Sequence, residues 1–233
     1  MNKTSTILAI TSGLFFGQAQ AEIESEFHVG YNSEYIYRGA ELGVDAYEYG
    51  LDFAGSSDSG LDWSAGIWSI SPDGEDGNVD ELDIYASVSK DLGIGSIAAG
   101  FTVYTYETFA DDAEVYLGFS TQSCGLDLGL TVFFGTDGIF QDAVLLEGTI
   151  GYSFEVSSKT TANIGIVYGM LLDEGEFAED GELYASASIS LDYAVSDSVT
   201  FSPYVSYNEG EEDILGAFAA DGVHGGASIS FSF

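Results

Sequence analysis

Apolar and polar residues alternate with a period of two along almost the whole chain. The C-terminal stretch shows it most clearly: Val223, Gly225, Ala227, Ile229, Phe231 and Phe233 fall on one face, and His224, Gly226, Ser228, Ser230 and Ser232 on the other. Near the start, Ile23, Phe27, Val29, Tyr31, Tyr35 and Tyr37 oppose Glu24, Glu26, His28, Asn32, Glu34 and Arg38. Tyr47, Tyr49, Leu51 and Phe53 oppose Glu48, Gly50 and Asp52, and Leu61, Trp63, Ala65 and Ile67 oppose Asp62, Ser64, Gly66 and Trp68. The same reading gives Ile97 to Val103, Leu126 to Phe134, and Leu183, Ala185, Ala187, Ile189, Leu191 and Tyr193 as apolar faces. Side chains alternate across a strand but recur every 3.6 residues on a helix, so these segments are strands.

Twelve such segments, each roughly ten residues long, predict an all-β fold: an antiparallel transmembrane β-barrel of about twelve strands, with ten or fourteen also compatible. The apolar set would face lipid and the polar set the lumen, and closure would pair every backbone group, as lipid demands. A soluble β-sandwich also alternates and is the competing reading. Pro203 counts against regularity, because it removes a ladder hydrogen bond.

The connections support the barrel. Short turns are expected near Ser56–Ser59, Lys90–Gly93, Gln122–Gly125, Val156–Thr160 and Val195–Ser198. Longer loops are expected near Gly39–Gly43, Ser71–Asp80, Glu107–Asp112, Thr136–Asp142, Leu171–Gly181 and Asn208–Gly222. Short periplasmic turns and longer extracellular loops are the pattern of such barrels. Aromatic girdles should mark the two interfaces, with Tyr31, Tyr35, Tyr37, Tyr47, Tyr168 and Tyr207 outside and Phe53, Phe119, Phe154, Tyr193 and Phe233 inside.

The ends add a destination. Lys3, a short apolar core from Ile7 to Gly17, and Ala19-Gln20-Ala21 read as a signal peptide over residues 1–21, leaving a barrel over 22–233. The terminal strand ending in Phe233 resembles the segment by which bacterial outer-membrane proteins are recognised by their insertion machinery. Expected partners are therefore that machinery, outer-membrane lipid and lipopolysaccharide, and the expected location is the bacterial cell outer membrane.

Charge narrows the chemistry. Asp and Glu number 39 against 4 Lys and Arg, a net charge of −35. Apart from Lys3 the cations are Arg38, Lys90 and Lys159. Such a surface repels phosphate backbones, which argues against nucleic acid, and attracts cations. Heavy acidity is also a general adaptation to salt. Aromatics at 14% and hydrophobics at 45% argue for a folded chain rather than a disordered acidic one. The lone Cys124 offers neither a disulfide framework nor a Cys metal site.

The stretch Phe27-His-Val-Gly-Tyr-Asn-Ser-Glu-Tyr-Ile-Tyr-Arg-Gly-Ala40 resembles the opening of the Gcw_chp family, bacterial barrel-like proteins of unassigned function. Ser33, Tyr35, Tyr37, Arg38 and Gly39 stand at its motif positions, with Glu34 where the family usually has Asp or Asn. Glu81-Leu-Asp-Ile-Tyr85 is similar to a later family strand, and the similarity spans roughly residues 27–90. It implies an outer-membrane barrel and supplies no activity.

Strand parity places His28, Arg38, Glu48, Asp52, Asp62, Asp83, Glu114, Asp127, Glu147, Asp192 and His224 in the lumen. Many neighbours are Gly or Ser, which would leave room for water, while Trp68, Tyr85, Tyr104, Tyr116, Tyr184 and Tyr204 also point inward and would fill it. Arg38 is either a constriction residue or the partner of Glu48 or Asp83 in an ion pair that fixes register. His28 and His224 lie on strands that closure makes neighbours; with Glu26 they would suit a transition metal, or a hydrolase base if an activated Ser stood by. No nucleophile motif accompanies them, so an enzyme is not expected and no cofactor is called for.

The runs Asp73–Gly77, Asp173–Glu176 and Glu209–Asp213 are dense in hard oxygen ligands for Ca²⁺ or Mg²⁺, without EF-hand spacing. Two functions stay open. One is a small porin-like channel for cations or small solutes. The other is a non-conducting structural or surface-binding barrel with acidic loops.

Overall fold

The computed structural model describes residues 23–73, 80–107, 110–175, 177 and 180–233. The expected signal peptide lies outside these residues. Twelve strands form one closed antiparallel barrel: β1 (Glu24–Tyr37), β2 (Ala40–Ser56), β3 (Asp62–Asp73), β4 (Glu81–Asp91), β5 (Ser96–Tyr106), β6 (Asp112–Ser123), β7 (Leu126–Asp137), β8 (Val144–Ser157), β9 (Thr160–Asp173), β10 (Gly181–Ser196), β11 (Val199–Gly210) and β12 (Asp221–Ser232). Each strand pairs with its sequence neighbours, and β1 closes on β12 with Phe27 opposite Phe231 and Val29 opposite Ile229. No sheet edge remains, which is how a strand fold survives in lipid.

The alternation resolves as the sequence predicts. Phe27, Tyr31, Tyr47, Ile67, Phe101, Leu130, Ile166, Ile189, Val205 and Phe231 stand on the outer surface, and Asn32, Glu48, Asp52, Glu114, Glu147, Ser190 and Ser228 are buried inside. A continuous apolar exterior of this kind has no place in water. Of the expected girdle residues, Tyr31, Tyr47, Tyr168, Tyr207, Phe53, Phe119, Phe154, Tyr193 and Phe233 are exposed. Pro203 is accommodated by a gap: the β10–β11 ladder pauses after Ser190↔Tyr204 and resumes at Tyr193↔Phe201.

Three expectations about local structure are corrected. Residues 39–43 do not form a long loop; Arg38 and Gly39 make a tight turn, with φ of 48° and 85°, directly between β1 and β2. Tyr35 and Tyr37 do not face lipid. Asn32 and Tyr35 are both buried although three residues apart, so the alternation breaks between them, and the β1–β2 register shifts at Tyr35/Ile36. Leu183 also points inward, 1% exposed beside buried Tyr184, because β10 shifts register between Glu182 and Tyr184. A bulge sets two adjacent side chains on one face, which period-two reading cannot anticipate.

The barrel has two unlike ends. One carries the short connections Cys124–Gly125, Ser158–Lys159 and Asp197–Ser198, and both ends of the described chain. That end also carries the β2–β3 and β4–β5 connections at residues 57–61 and 92–95; the other, the loop end, carries the six connections β1–β2, β3–β4, β5–β6, β7–β8, β9–β10 and β11–β12. These include a helical turn at Gly138–Phe140 and a short helix α1 (Glu212–Leu215) before β12.

Candidate functional site: a carboxylate-lined lumen closed at the loop end

Inward positions on most strands carry Asn or carboxylate side chains, so the lumen is polar by parity alone. Its buried acids are paired mainly with tyrosine. The hydroxyl of Tyr35 donates to Glu81 at 2.7 Å, that of Tyr104 to Glu114 at 2.7 Å and that of Tyr184 to Glu147 at 2.5 Å. Tyr85 donates to Asp52. Tyr204 donates to Asn32 at 2.6 Å, and the Asn32 amide donates to Glu48 at 3.1 Å. A buried carboxylate without a donor is costly, and a charge-assisted hydroxyl bond offsets much of that cost while adding no positive charge. The interior therefore stays strongly acidic.

Several inward rings, Tyr85 and Tyr184 among them, lie across glycines of the neighbouring strand. Gly100 faces Tyr116, Gly66 faces Tyr85, and Gly50 sits against His28. A Cβ built on Gly66 would come within 2.6 Å of the Tyr85 ring, and one on Gly169 within 2.2 Å of Tyr184. At Gly50, Gly66, Gly100 and Gly169 the expected water-filled space is taken by the ring next door, whereas Gly129 and Gly165 face the hydroxyls of Thr149 and Ser188.

Arg38 closes the loop end. From the β1–β2 turn it reaches across the lumen to β6, where Nη1 and Nη2 donate to the two oxygens of Glu114 at 2.8 and 2.9 Å. The expected partners Glu48 and Asp83 are not the ones it meets. Both lie on β2 and β4, on the near side of the barrel, while the inward fold of the turn carries the guanidinium to the far wall. Its carbon stands 4.4 Å from the Phe133 ring centroid, 4.9 Å from Tyr37 and 5.4 Å from Phe140. Tyr37 and Tyr104 share a hydroxyl bond of 2.7 Å.

Around this pair the lumen is a protein core. Phe133, Leu145, Leu171 and Leu183 line the Arg38–Glu114 contact, which leaves a cavity of only about 10 Å³, the room of a single water at most. Phe133-Phe134 and Leu171-Leu172 explain it: one member of each pair faces lipid and the other faces in. Those doubled apolar residues were the available sequence signal, and strict alternation passed over them. Glu81, 2% exposed, was likewise legible as an inward position two residues before Asp83.

The other predicted lining residues divide by depth. Towards the short-turn end Asp192 accepts from Ser202 at 2.8 Å and from Asn163 at 2.9 Å. His28 Nδ1 lies 3.5 Å from Asp52. Asp62 bonds Ser56 and Asp127 accepts from Gln122 at 3.0 Å, both at the short-turn rim rather than in the middle of the lumen. Lys90 and Lys159 are exposed at that same rim, so Arg38 is the basic residue of the interior among those described. Asp83 and His224 are buried; His224 meets the edge of Tyr204 with centroids 6.2 Å apart.

The pairing of the two histidines is also corrected. Register sets His28 opposite Ser230, so His224 lies six residues further along β12, roughly 20 Å at the rise of a strand. They cannot share a metal or a substrate atom. Among the described residues no group of three His, Cys, Asp or Glu side chains is placed to hold a metal ion. Parts of two acidic loop runs fall outside those residues. Of the third, residues Glu209 to Glu212 line an open cup of about 500 Å³ with Glu182 and Asp221.

A closed antiparallel barrel with its apolar face outward and carboxylates inward defines the outer-membrane barrel class. No family model and no curated protein matches the chain. Solved structures do. A structure of the KdgM porin is 14% identical, with a TM-score of 0.53 over 89% of this chain and 99% of that one. A NanC porin structure is 13% identical, with a TM-score of 0.53 over 90% and 98%. An outer membrane channel from Pseudomonas putida F1 is 10% identical, with a TM-score of 0.57 over 94% and 100%. At these identities the likeness is one of fold.

Proposed function

We propose that this protein is a small porin-like channel of the bacterial outer membrane, passing cations or small neutral solutes. The short turns then face the periplasm and the loop end faces outward. The observation that carries the reading is the lining. Glu48, Asp52, Glu114, Glu147 and Asp192 surround the lumen, and Arg38 alone opposes them among the described residues. A narrow acidic lumen with low-dielectric walls concentrates cations and repels anions. The fold shared with two porins and a channel agrees with it.

Refolded protein in planar bilayers tests it. Under a salt gradient the reversal potential is expected to have the sign of cation selectivity. Absence of current, both from the wild type and from a variant with the loop end cleared, would overturn it. The non-conducting alternative has one observation in its favour, the filled loop end, and the same recording decides between them. The two histidines stand apart along the barrel wall and do not form one site.

A further inference from the structure

The loop-end half of the β1–β2 hairpin is built unlike the rest of the wall. Up to Asn32, opposite Gly226, β1 is bonded to β12; beyond it that ladder ends, and only the Ser33 hydroxyl accepts the Gly225 amide at 3.0 Å. On the other side β2 meets β3 at Val44↔Asp73 and then not until Tyr47↔Ser71. Among the described residues, 33–43 are thus a two-stranded ribbon paired mainly with itself. The ribbon's base carries the irregularities of a bend. The β1–β2 register shifts at Tyr35/Ile36, and Asp45 holds a φ of 49°, a left-handed conformation costly for any residue but Gly, Asn or Asp.

The ribbon turns into the lumen instead of continuing the wall. Its tip is held by ring packing, with Tyr35 against Trp68 and Tyr37 against Tyr104 and Phe140, and by a small set of polar contacts. The Tyr35–Glu81, Tyr37–Tyr104 and Arg38–Glu114 bonds fix it to β4, β5 and β6 in turn, and the Gly39 carbonyl accepts the Ala220 amide at 2.7 Å. A single bridge joins Ala40 to Ala219 in the β11–β12 connection. A guanidinium paired with a carboxylate inside the barrel would be hydrated if it left. Such a charge suits a door that must both fill an acidic mouth and leave it.

We infer that the β1–β2 hairpin is a gate hinged at residues 33–45 and latched by the Arg38–Glu114 pair. This rests on the channel reading. Solutes cross when the ribbon swings out of the loop end, and the Phe133, Leu145, Leu171 and Leu183 cluster then loses its lid. The latched and released states are two positions of one element, so anything that weakens the latch raises the open population.

The bridge supplies the test. Residues opposed in an antiparallel bridge stand within the Cα separation that a disulfide spans. In a C124S background, the double substitution A40C and A219C staples the tip shut. Bilayer recordings are made oxidised and then after a reductant, beside the variants R38Q and a hairpin with residues 34–44 replaced by a short Gly-Ser turn. Heat-shifted gel migration first shows that each is folded. The expected result is silence when oxidised, recovery on reduction, an open probability raised at least about tenfold in R38Q, and continuous conduction in the shortened variant.

Equal current from the oxidised staple, its reduced form and the shortened variant would overturn the gate and leave the channel standing. Silence from every folded variant, the shortened one included, would overturn the channel and the gate with it.

Discussion

Arg38 and Glu114 are 76 positions apart in sequence and form a two-pronged ion pair, 2.8 and 2.9 Å, inside the barrel. Both residues are buried, at 6% and 2% exposure. Breaking such a pair from one side leaves an uncompensated buried charge, at a cost of about 3–5 kcal/mol where the survivor cannot escape to water.

A protease reports on that relationship. Arg38–Gly39 is a tryptic bond inside the closed barrel, whereas Lys90 and Lys159 are exposed at the short-turn end. In E114Q the guanidinium loses its counter-charge, and the tip should spend more time in solvent. Cleavage after Arg38 is expected to accelerate at least about tenfold, because proteolysis follows the population of the opened form. Mass spectrometry of the fragments measures it, and an unchanged rate would mean that the pair does not hold the tip.

The tyrosine–carboxylate bonds predict a second pattern. Y35F leaves Glu81, already 2% exposed, without its hydroxyl donor, and is expected to cost about 1–3 kcal/mol. Y47F, at a residue 64% exposed on the outer surface, should cost almost nothing. Urea unfolding in detergent micelles, followed by the fluorescence of Trp63 and Trp68, compares the two.

Selectivity should depend on the lining charges. Removing one charge with D52N, or with E48Q, is expected to move the reversal potential in a salt gradient toward zero. Raising the salt tenfold should shrink the difference between wild type and variant, since the Debye length falls from about 10 Å at 0.1 M to about 3 Å at 1 M. A reversal potential indifferent to both substitutions would locate the selective region elsewhere.

The outer surface makes a fourth claim. Ile166 is 50% exposed in mid-strand, between Ile150 and Ala187 on its neighbours. Replacing it with Arg is expected to cost about 2–4 kcal/mol in a bilayer, the depth-dependent penalty of a lipid-facing charge. S188A, one strand over on the lumen face, should be nearly neutral. Refolding yield into lipid vesicles as a function of urea reads both.

Much of this protein was legible before its structure. Alternation in β12 placed Phe231 and Ile229 outside and His224 and Ser228 inside, and the tertiary structure keeps all four there. The positions where the reading failed, Tyr35, Tyr37 and Leu183, sit beside register shifts. One extra residue there inverts the face of everything beyond it.

The sequence by itself determined a barrel of about twelve alternating strands, which face of most of them meets lipid, and that the interior would be acidic. Those properties follow from local periodicity and from composition. Only the tertiary structure decided which acid Arg38 would meet, how far apart His28 and His224 would lie, and that glycines such as Gly66 and Gly100 would be covered by rings. Each of these depends on the register between strands and on the inward turn of one hairpin. Register is set by pairing around the closed ring, so no single segment of sequence contains it.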